Sequence, residues 1–202
     1  MGKKATKEAK KQDINRRIEV KVLGARDTGK TALVMRCSDW NIFSELKTDS
    51  LMQPSGDCFG SIDHKVNGGV LTVIDTDYEE KTISTIPRFV QQYDAIILCF
   101  DARNKETLKE LRDRWVPEVN EKYTKALVFI IATMCDTYGA GDDLDLEKND
   151  DLKFIVDFLS ESGQRGLVKI YGKTSAKDNT RIHELYQEIY EKVMEYRQSH
   201  EQ

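Results

Sequence analysis

Eight consecutive residues carry the clearest chemical signature in the chain. Gly24-Ala25-Arg26-Asp27-Thr28-Gly29-Lys30-Thr31 fits G-x-x-x-x-G-K-[ST]. Gly24 and Gly29 let the backbone curl so that successive N–H groups point into one concavity, which suits phosphate oxygens. Lys30 supplies a point charge between the outer phosphates, and the hydroxyl of Thr31 is placed to ligate magnesium. Asp27, Thr28 and Ala32 lie in or beside the same motif and count with it as candidate nucleotide-binding residues. The same letters can arise as a chance turn. Here they follow a strand pattern and open a helical one, the context the chemistry requires.

That loop needs a strand behind it and a helix in front. Ile18, Val20 and Val22 alternate with charged residues before Gly24, which predicts a strand, and Ala32 to Cys37 predict a short helix. Residues 38–57 are polar and aperiodic, a long loop. Cys58 to Val66 and Val70 to Asp75 flank Asn67-Gly68-Gly69, a hairpin signal because Asn and Gly tolerate positive φ. Ile83, Ile86, Phe89, Val90 and Tyr93 have helical spacing, interrupted by Pro87. Ala95 to Phe100 and Leu127 to Ala132 read as fully buried strands, and Leu167 to Tyr171 as the last one. Helices are expected over Lys105 to Trp115, disturbed near Pro117, around Leu152, Ile155, Val156 and Leu159, and over Ile182 to Tyr196. Strands alternating with helices imply an α/β fold: a mostly parallel six-stranded sheet, one antiparallel edge hairpin, and helices on both faces. Ligands in such folds bind beyond the carboxyl ends of the strands.

Composition narrows the function classes. The chain has 202 residues, 39% hydrophobic and 33% charged, which suits one domain and excludes a membrane-embedded protein. Cysteines 37, 58, 99 and 135 are widely spread and read as reduced thiols, and no apolar leader core follows the start, so a cytoplasmic location is expected. The net charge of −4 conceals a split. Residues 1–17 hold seven basic and two acidic side chains, leaving the remainder at −9. An acidic body does not fit a nucleic-acid partner. His64, His183 and His200 have no neighbours that point to catalysis and are expected at the surface. Tyr186, Tyr190 and Tyr196 are expected to pack the rim of the core.

With the phosphate loop, the hairpin before Asp75-Thr76, Cys99-Phe100-Asp101, and Thr174-Ser175-Ala176-Lys177 before a last helix, the chain resembles the Ras superfamily of small GTPases over residues 18–197. Residues 1–17 then form a basic tail and 198–202 a C-terminal one. Trp115-Val116-Pro117-Glu118-Val119 is similar to a stretch of Rho-type members, while the Ser-Ala-Lys segment looks more Rab- or Ras-like. The resemblance implies a P-loop NTPase G domain that binds GTP or GDP with Mg2+, as a monomer that meets protein effectors or regulators. It also implies roles by position. Asp75 holds magnesium through water. Asp136, in Thr133-Met134-Cys135-Asp136 against the family's N-K-x-D, accepts the guanine N1–H and amino group. Met134 lays apolar surface where Lys would lie on the base, and the backbone N–H of Ala176, between Ser175 and Lys177, meets guanine O6. Thr133 is expected to lose the amide that braces neighbouring loops.

Three segments depart from the family pattern. Where it has D-x-x-G and a catalytic Gln, this chain reads Asp75-Thr76-Asp77-Tyr78-Glu79. Tyr78 adds bulk where Gly approaches the γ-phosphate. Glu79 puts a carboxylate beside a polyphosphate, repelled there or acting as a general base. Arg26 and Asp27 stand where Gly is common: Arg26 either crowds the site or serves as an internal arginine finger. Pro54 replaces the switch Thr and offers neither hydroxyl nor N–H, leaving Ser55, Ser50 or Thr48 as substitutes. A nucleotide-binding switch or scaffold with slow or absent hydrolysis is expected; the alternative is a pseudo-GTPase interaction module independent of nucleotide. Met1-Gly2-Lys3-Lys4-Ala5-Thr6 fits the N-myristoylation pattern M-G-x-x-x-[ST]. With the basic residues that follow, Gly2 offers a peripheral anchor on anionic membrane; a solvated tail is the other reading.

Overall fold

The computed structural model describes residues 17–36, 61–75, 93–137, 149–161 and 168–200. Among the described residues there are six strands: β1 (Arg17–Gly24), β2 (Ser61–Val66), β3 (Gly69–Asp75), β4 (Ala95–Asp101), β5 (Leu127–Thr133) and β6 (Val168–Lys173). They form one sheet in the order β2-β3-β1-β4-β5-β6. Only the β2–β3 hairpin is antiparallel. The helices are α1 (Lys30–Arg36), α2 (Lys105–Glu110), α3 (Val116–Lys122), α4 (Asp150–Glu161) and α5 (Ile182–His200). The architecture expected from the alternation of strands and helices is the one that forms.

Apolar patterning accounts for the layers. β4 and β5 are buried along their whole length, as unbroken apolar runs covered on both faces must be. Ile18, Val20, Val22, Val73, Ile97 and Phe129 face α1 and α5. Leu23, Ile96, Leu98, Phe100, Val128 and Ile130 face α2, α3 and α4. Each such side chain contributes about 1.5–3 kcal/mol through removal from water.

The structure adds detail at four places and corrects the expectation at Asn67 and His64. At the hairpin only Gly68 takes positive φ, at 107°, and Asn67 does not. The tip is fixed instead by α5: the Tyr190 hydroxyl donates to Gly68 O at 2.8 Å, and the Asn67 N–H donates to Gln187 Oε1 at 2.9 Å. The disturbance expected near Pro117 takes the form of a widened π-helical turn over Leu111–Trp115, where the Val116 N–H reaches Leu111 O. Proline has no N–H to donate, and it sits in the first turn of α3, so the helix resumes to Lys122. His64 is buried rather than exposed, its ring stacked on Tyr186 at 5.0 Å. It shares the inward face of β2 with Ile62 and Val66, two residues to either side. His183 and His200 are exposed, as expected. Lys21, an alternating charged residue of β1, is also buried, its ammonium donating to the Tyr123 hydroxyl at 2.9 Å and lying over the Tyr93 and Tyr123 rings. With both sheet faces covered, the polar side of β1 has a core to enter as well.

The C-terminal helix is tied to the opposite end of the sheet from the phosphate loop. Arg197 pairs with Asp94 at 2.6 Å, and Asp94 accepts the Glu19 N–H at 2.8 Å. Tyr186 is fully buried and donates to Leu33 O at 3.2 Å, and Tyr190 packs beside it. The rings of Tyr196 and His200 lie tilted against each other with centres 4.0 Å apart. Among the described residues no helix is long and apolar enough to cross a membrane. The loop 38–57, Cys37 and Cys58, the helical pattern from Ile83 to Val90, residues 1–16 and the last two residues lie outside the described residues.

Candidate nucleotide-binding site

The expected site residues that are described gather at the carboxyl ends of the strands, on four segments: the loop after β1 with the helix it opens, the last residue of β3, and the turns after β5 and β6. The loop after β1 can lie close over β4 only because Gly24 has no side chain. A β-carbon there would sit 2.2 Å from Cys99 O. Cys99 itself is buried beneath the loop, and burial pushes its thiol up to about 12, so it is an inert packing group. Asp27 and Gly29 hold φ of 60° and 78°, the left-handed conformation that curls the loop. Ala25 O accepts from the Thr28 hydroxyl at 2.8 Å and from the Lys30 ammonium at 2.7 Å. Lys30 is therefore buried and drawn across the loop, with its positive charge beside the curled backbone. Ala32 follows in the first turn of α1.

At the lip of this cradle the Thr31 hydroxyl donates to Asp75 Oδ2 at 2.5 Å. A hydroxyl and a carboxylate oxygen thus stand side by side, the hard donors that magnesium selects. Among the described residues no cluster of three or more His, Cys, Asp and Glu could hold a metal. The pair fits a cation that takes the rest of its shell from phosphate and water.

The second half of the site follows β5 and β6. Thr133 corrects the sequence reading: its side chain does brace the loops. The buried hydroxyl lies 2.7 Å from Thr28 O in the phosphate loop and 2.9 Å from Phe100 O on β4, a three-centre bridge between them. Met134 takes φ of 59°, and its side chain lies over Gly29, within 3.2 Å of where a β-carbon would stand. Asp136 follows in a short 3-10 turn, Cys135–Thr137. Its Oδ1 accepts the Ser175 hydroxyl at 2.9 Å, and its Oδ2 pairs with Lys177 at 3.5 Å. Ser175 also accepts the Asp178 N–H at 3.2 Å, and its backbone pairs with Thr180, closing the turn that holds Ala176. Cys135 N–H to Thr174 O, at 3.1 Å, locks this turn to the Asp136 segment.

One charged pair at the site was not anticipated. Asp101, the last residue of β4, accepts the Arg103 backbone N–H at 2.9 Å and its guanidinium at 2.9 and 2.7 Å. The same guanidinium reaches Met134 Sδ at 2.6 Å. Burial alone would raise the Asp101 carboxyl, but the hydrogen bonds and charge of Arg103 outweigh it and hold the carboxyl below its ordinary value. Arg103 is raised in turn, chiefly by its hydrogen bond to Asp101, with the Asp136 charge adding to the effect. The signal was present in the sequence as an Asp-x-Arg pair directly after an apolar strand. Arg26 and Asp27, by contrast, pair at 3.8 Å with both side chains more than nine-tenths exposed. Pro54, Ser55, Tyr78, Glu79 and Gly2 lie outside the described residues, as do Thr48 and Ser50.

A family model described as the Ras family matches residues 19–195. The chain belongs to the Ras family. A curated relative, the GTP-binding protein rho3 of Schizosaccharomyces pombe, is 27% identical over 188 residues, covering 89% of this chain and 83% of that protein. That likeness accords with the Rho-type stretch Trp115–Val119, which in this Ras-family chain spans the end of the π-helical turn and the start of α3.

The lowered Asp101 carboxyl makes stability depend on pH in one direction. Its contribution is present in full above the ordinary Asp value, about 3.9, and is lost as pH falls through the lower native value. Denaturant midpoints measured from about pH 6 to about pH 3 should therefore fall less steeply for Asp101→Asn than for the unaltered chain. Parallel slopes would show that the pair does not act this way.

Proposed function

We propose that this protein is a guanine-nucleotide-binding switch or scaffold that hydrolyses GTP slowly or not at all. The observation carrying the first half is the joint geometry of cradle and base grip. Lys30 is held across the phosphate loop, and Thr133 fixes that loop to the segment presenting Asp136. In this reading the loop N–H groups and Lys30 bind the phosphates. Asp136, oriented by Ser175 and Lys177, accepts the guanine N1–H and amino hydrogens. The Ala176 N–H donates to the guanine carbonyl. Thr31 and Asp75 would hold Mg2+, which when bound offsets the charge on the phosphates. The relative's printed description as GTP-binding supports the same ligand.

The second half rests on sequence. Tyr78 and Glu79 stand where hydrolysis needs Gly and Gln, and Pro54 where it needs Thr. Removing a group that orients the attacking water leaves binding intact and lowers the chemical step alone. The exposed Arg26 directs its charge toward Asp27 and solvent rather than into the cradle. Binding without turnover suits a switch set by exchange, or a scaffold locked by nucleotide. Effectors and regulators would then read occupancy.

The basic stretch 1–17 supplies a peripheral membrane attachment in the same reading, with Gly2 acylated and the lysines adding up to about 1 kcal/mol each near anionic lipid. One acyl chain alone holds marginally, so both elements are needed.

Protein purified under native conditions, then denatured and chromatographed, should release GDP or GTP, and Lys30→Ala should release little. Single-turnover phosphate release from the loaded protein should be at least about tenfold slower than from a family member with the intact Gly and Gln. Empty protein with no thermal shift from Mg-GDP or Mg-GTP would favour an interaction module independent of nucleotide. For the tail, Gly2→Ala should move the protein from the membrane to the soluble fraction of expressing cells; unaltered fractionation would refute acylation.

A further inference from the structure

We infer that Arg103 is a base-clamping residue: held by Asp101 against Met134, its guanidinium supplies the cation at the purine face that the Met134 position lacks. The inference rests on the nucleotide reading above and specifies how that site grips the base.

The argument begins with what Met134 cannot do. A thioether lays polarisable apolar surface along a ring but carries no charge. In the N-K-x-D pattern this position has both a stem and an ammonium. In this chain the stem is supplied by Met134, whose methyl end lies over Gly29 of the phosphate loop. A cation arrives from a different strand. Arg103 follows β4 by two residues, and its Nη2 touches the Met134 sulfur at 2.6 Å.

The placement of that cation is over-determined. Asp101 accepts from Nε and Nη2 in a fork-to-fork pair and also binds the Arg103 backbone N–H, so the guanidinium cannot rotate away. Asp101 is itself fixed: its N–H donates to the Thr107 hydroxyl at 3.0 Å, in the first turn of α2. Yet Arg103 is nearly half exposed on its outer side, while Asp101 is buried. Four hydrogen bonds to one buried carboxylate thus hold the plane of a side chain whose outer side stays open. A plane of fixed orientation beside Asp136 has a use. A planar guanidinium attracts an aromatic face both by charge and by stacking, where an ammonium does so by charge alone. Arg103 and Met134 together therefore present a charged plane and an apolar stem to one ring.

Coupling between the two residues separates this role from a structural one. GDP affinity is measured with a fluorescent GDP analogue on the full-length chain and on Arg103→Gln, Met134→Lys and the double variant. Arg103→Gln should weaken GDP by about tenfold, the scale of a partly desolvated cation–π contact. In the Met134→Lys background, where an ammonium is restored, the same change should cost less than about threefold. Arg103→Lys, which keeps the Asp101 ion pair but loses the plane, should fall between and covers the case in which Arg103→Gln folds poorly. GDP affinity of Arg103→Gln within about twofold of the unaltered chain would overturn the clamp and leave nucleotide binding standing. An undiminished loss in the Met134→Lys background would overturn it in favour of a structural ion pair. Failure of the unaltered chain to bind the analogue would remove both readings.

Discussion

Carbonyl oxygens from two separate strand ends, Thr28 O in the phosphate loop and Phe100 O on β4, converge on one buried hydroxyl, that of Thr133. A hydroxyl buried in apolar surroundings must find partners, since leaving it unmet costs about 1–3 kcal/mol. Here that requirement sets the spacing between the loop after β1 and the segment that carries Asp136. Thr133 ends β5, and Met134 and Asp136 follow at once. The same bond that satisfies Thr133 fixes how far Asp136 stands from Lys30. Gly24 supplies the complementary constraint: lacking a side chain, it lets the loop descend onto Cys99 O so that Thr133 can reach it.

Charge is distributed to match. The body of the chain is acidic, yet Lys30, Arg103 and Lys177 stand among Asp75, Asp101 and Asp136 at one end of the sheet. Fixed local charges, rather than net charge, decide which anion can enter. The far end of the sheet carries a separate network, Asp94 with Arg197 and Arg17 with Asp63, that fastens the last helix and the edge strand without touching the site. Exposed pairs such as Lys109–Glu106 contribute little beside these.

The sequence made the scaffold legible because its signals are local. An apolar run as continuous as Ala95 to Phe100 has few homes other than a buried parallel strand, and G-x-x-x-x-G-K-[ST] after a strand has few uses other than holding phosphate. What stayed hidden depends on pairs distant in the chain. Thr133 read as a lost brace because its partner, Thr28 O, is 105 residues away. His64 read as exposed because Tyr186, on which it stacks, belongs to the last helix. Alternation along β2 could have placed it inward. Lys21, one of the charged residues alternating along β1, is buried against Tyr93 and Tyr123, partners distant in the chain, Tyr123 by 102 residues. Arg103 was missed although it lies two residues past a strand end. Its meaning appears only with Met134 beside it.

The central claim is that the cradle and Asp136 together select guanine nucleotide. It is tested most directly by competition: a fluorescent GDP analogue bound to the full-length chain with Mg2+, displaced by unlabelled GDP or ADP. Adenine presents a hydrogen-bond acceptor at N1 where guanine presents a donor, so the Asp136 carboxylate should reject it. Displacement should need at least about a hundredfold more ADP than GDP. Equal displacement by the two would show that the phosphate loop binds alone and that Asp136 does not read the base.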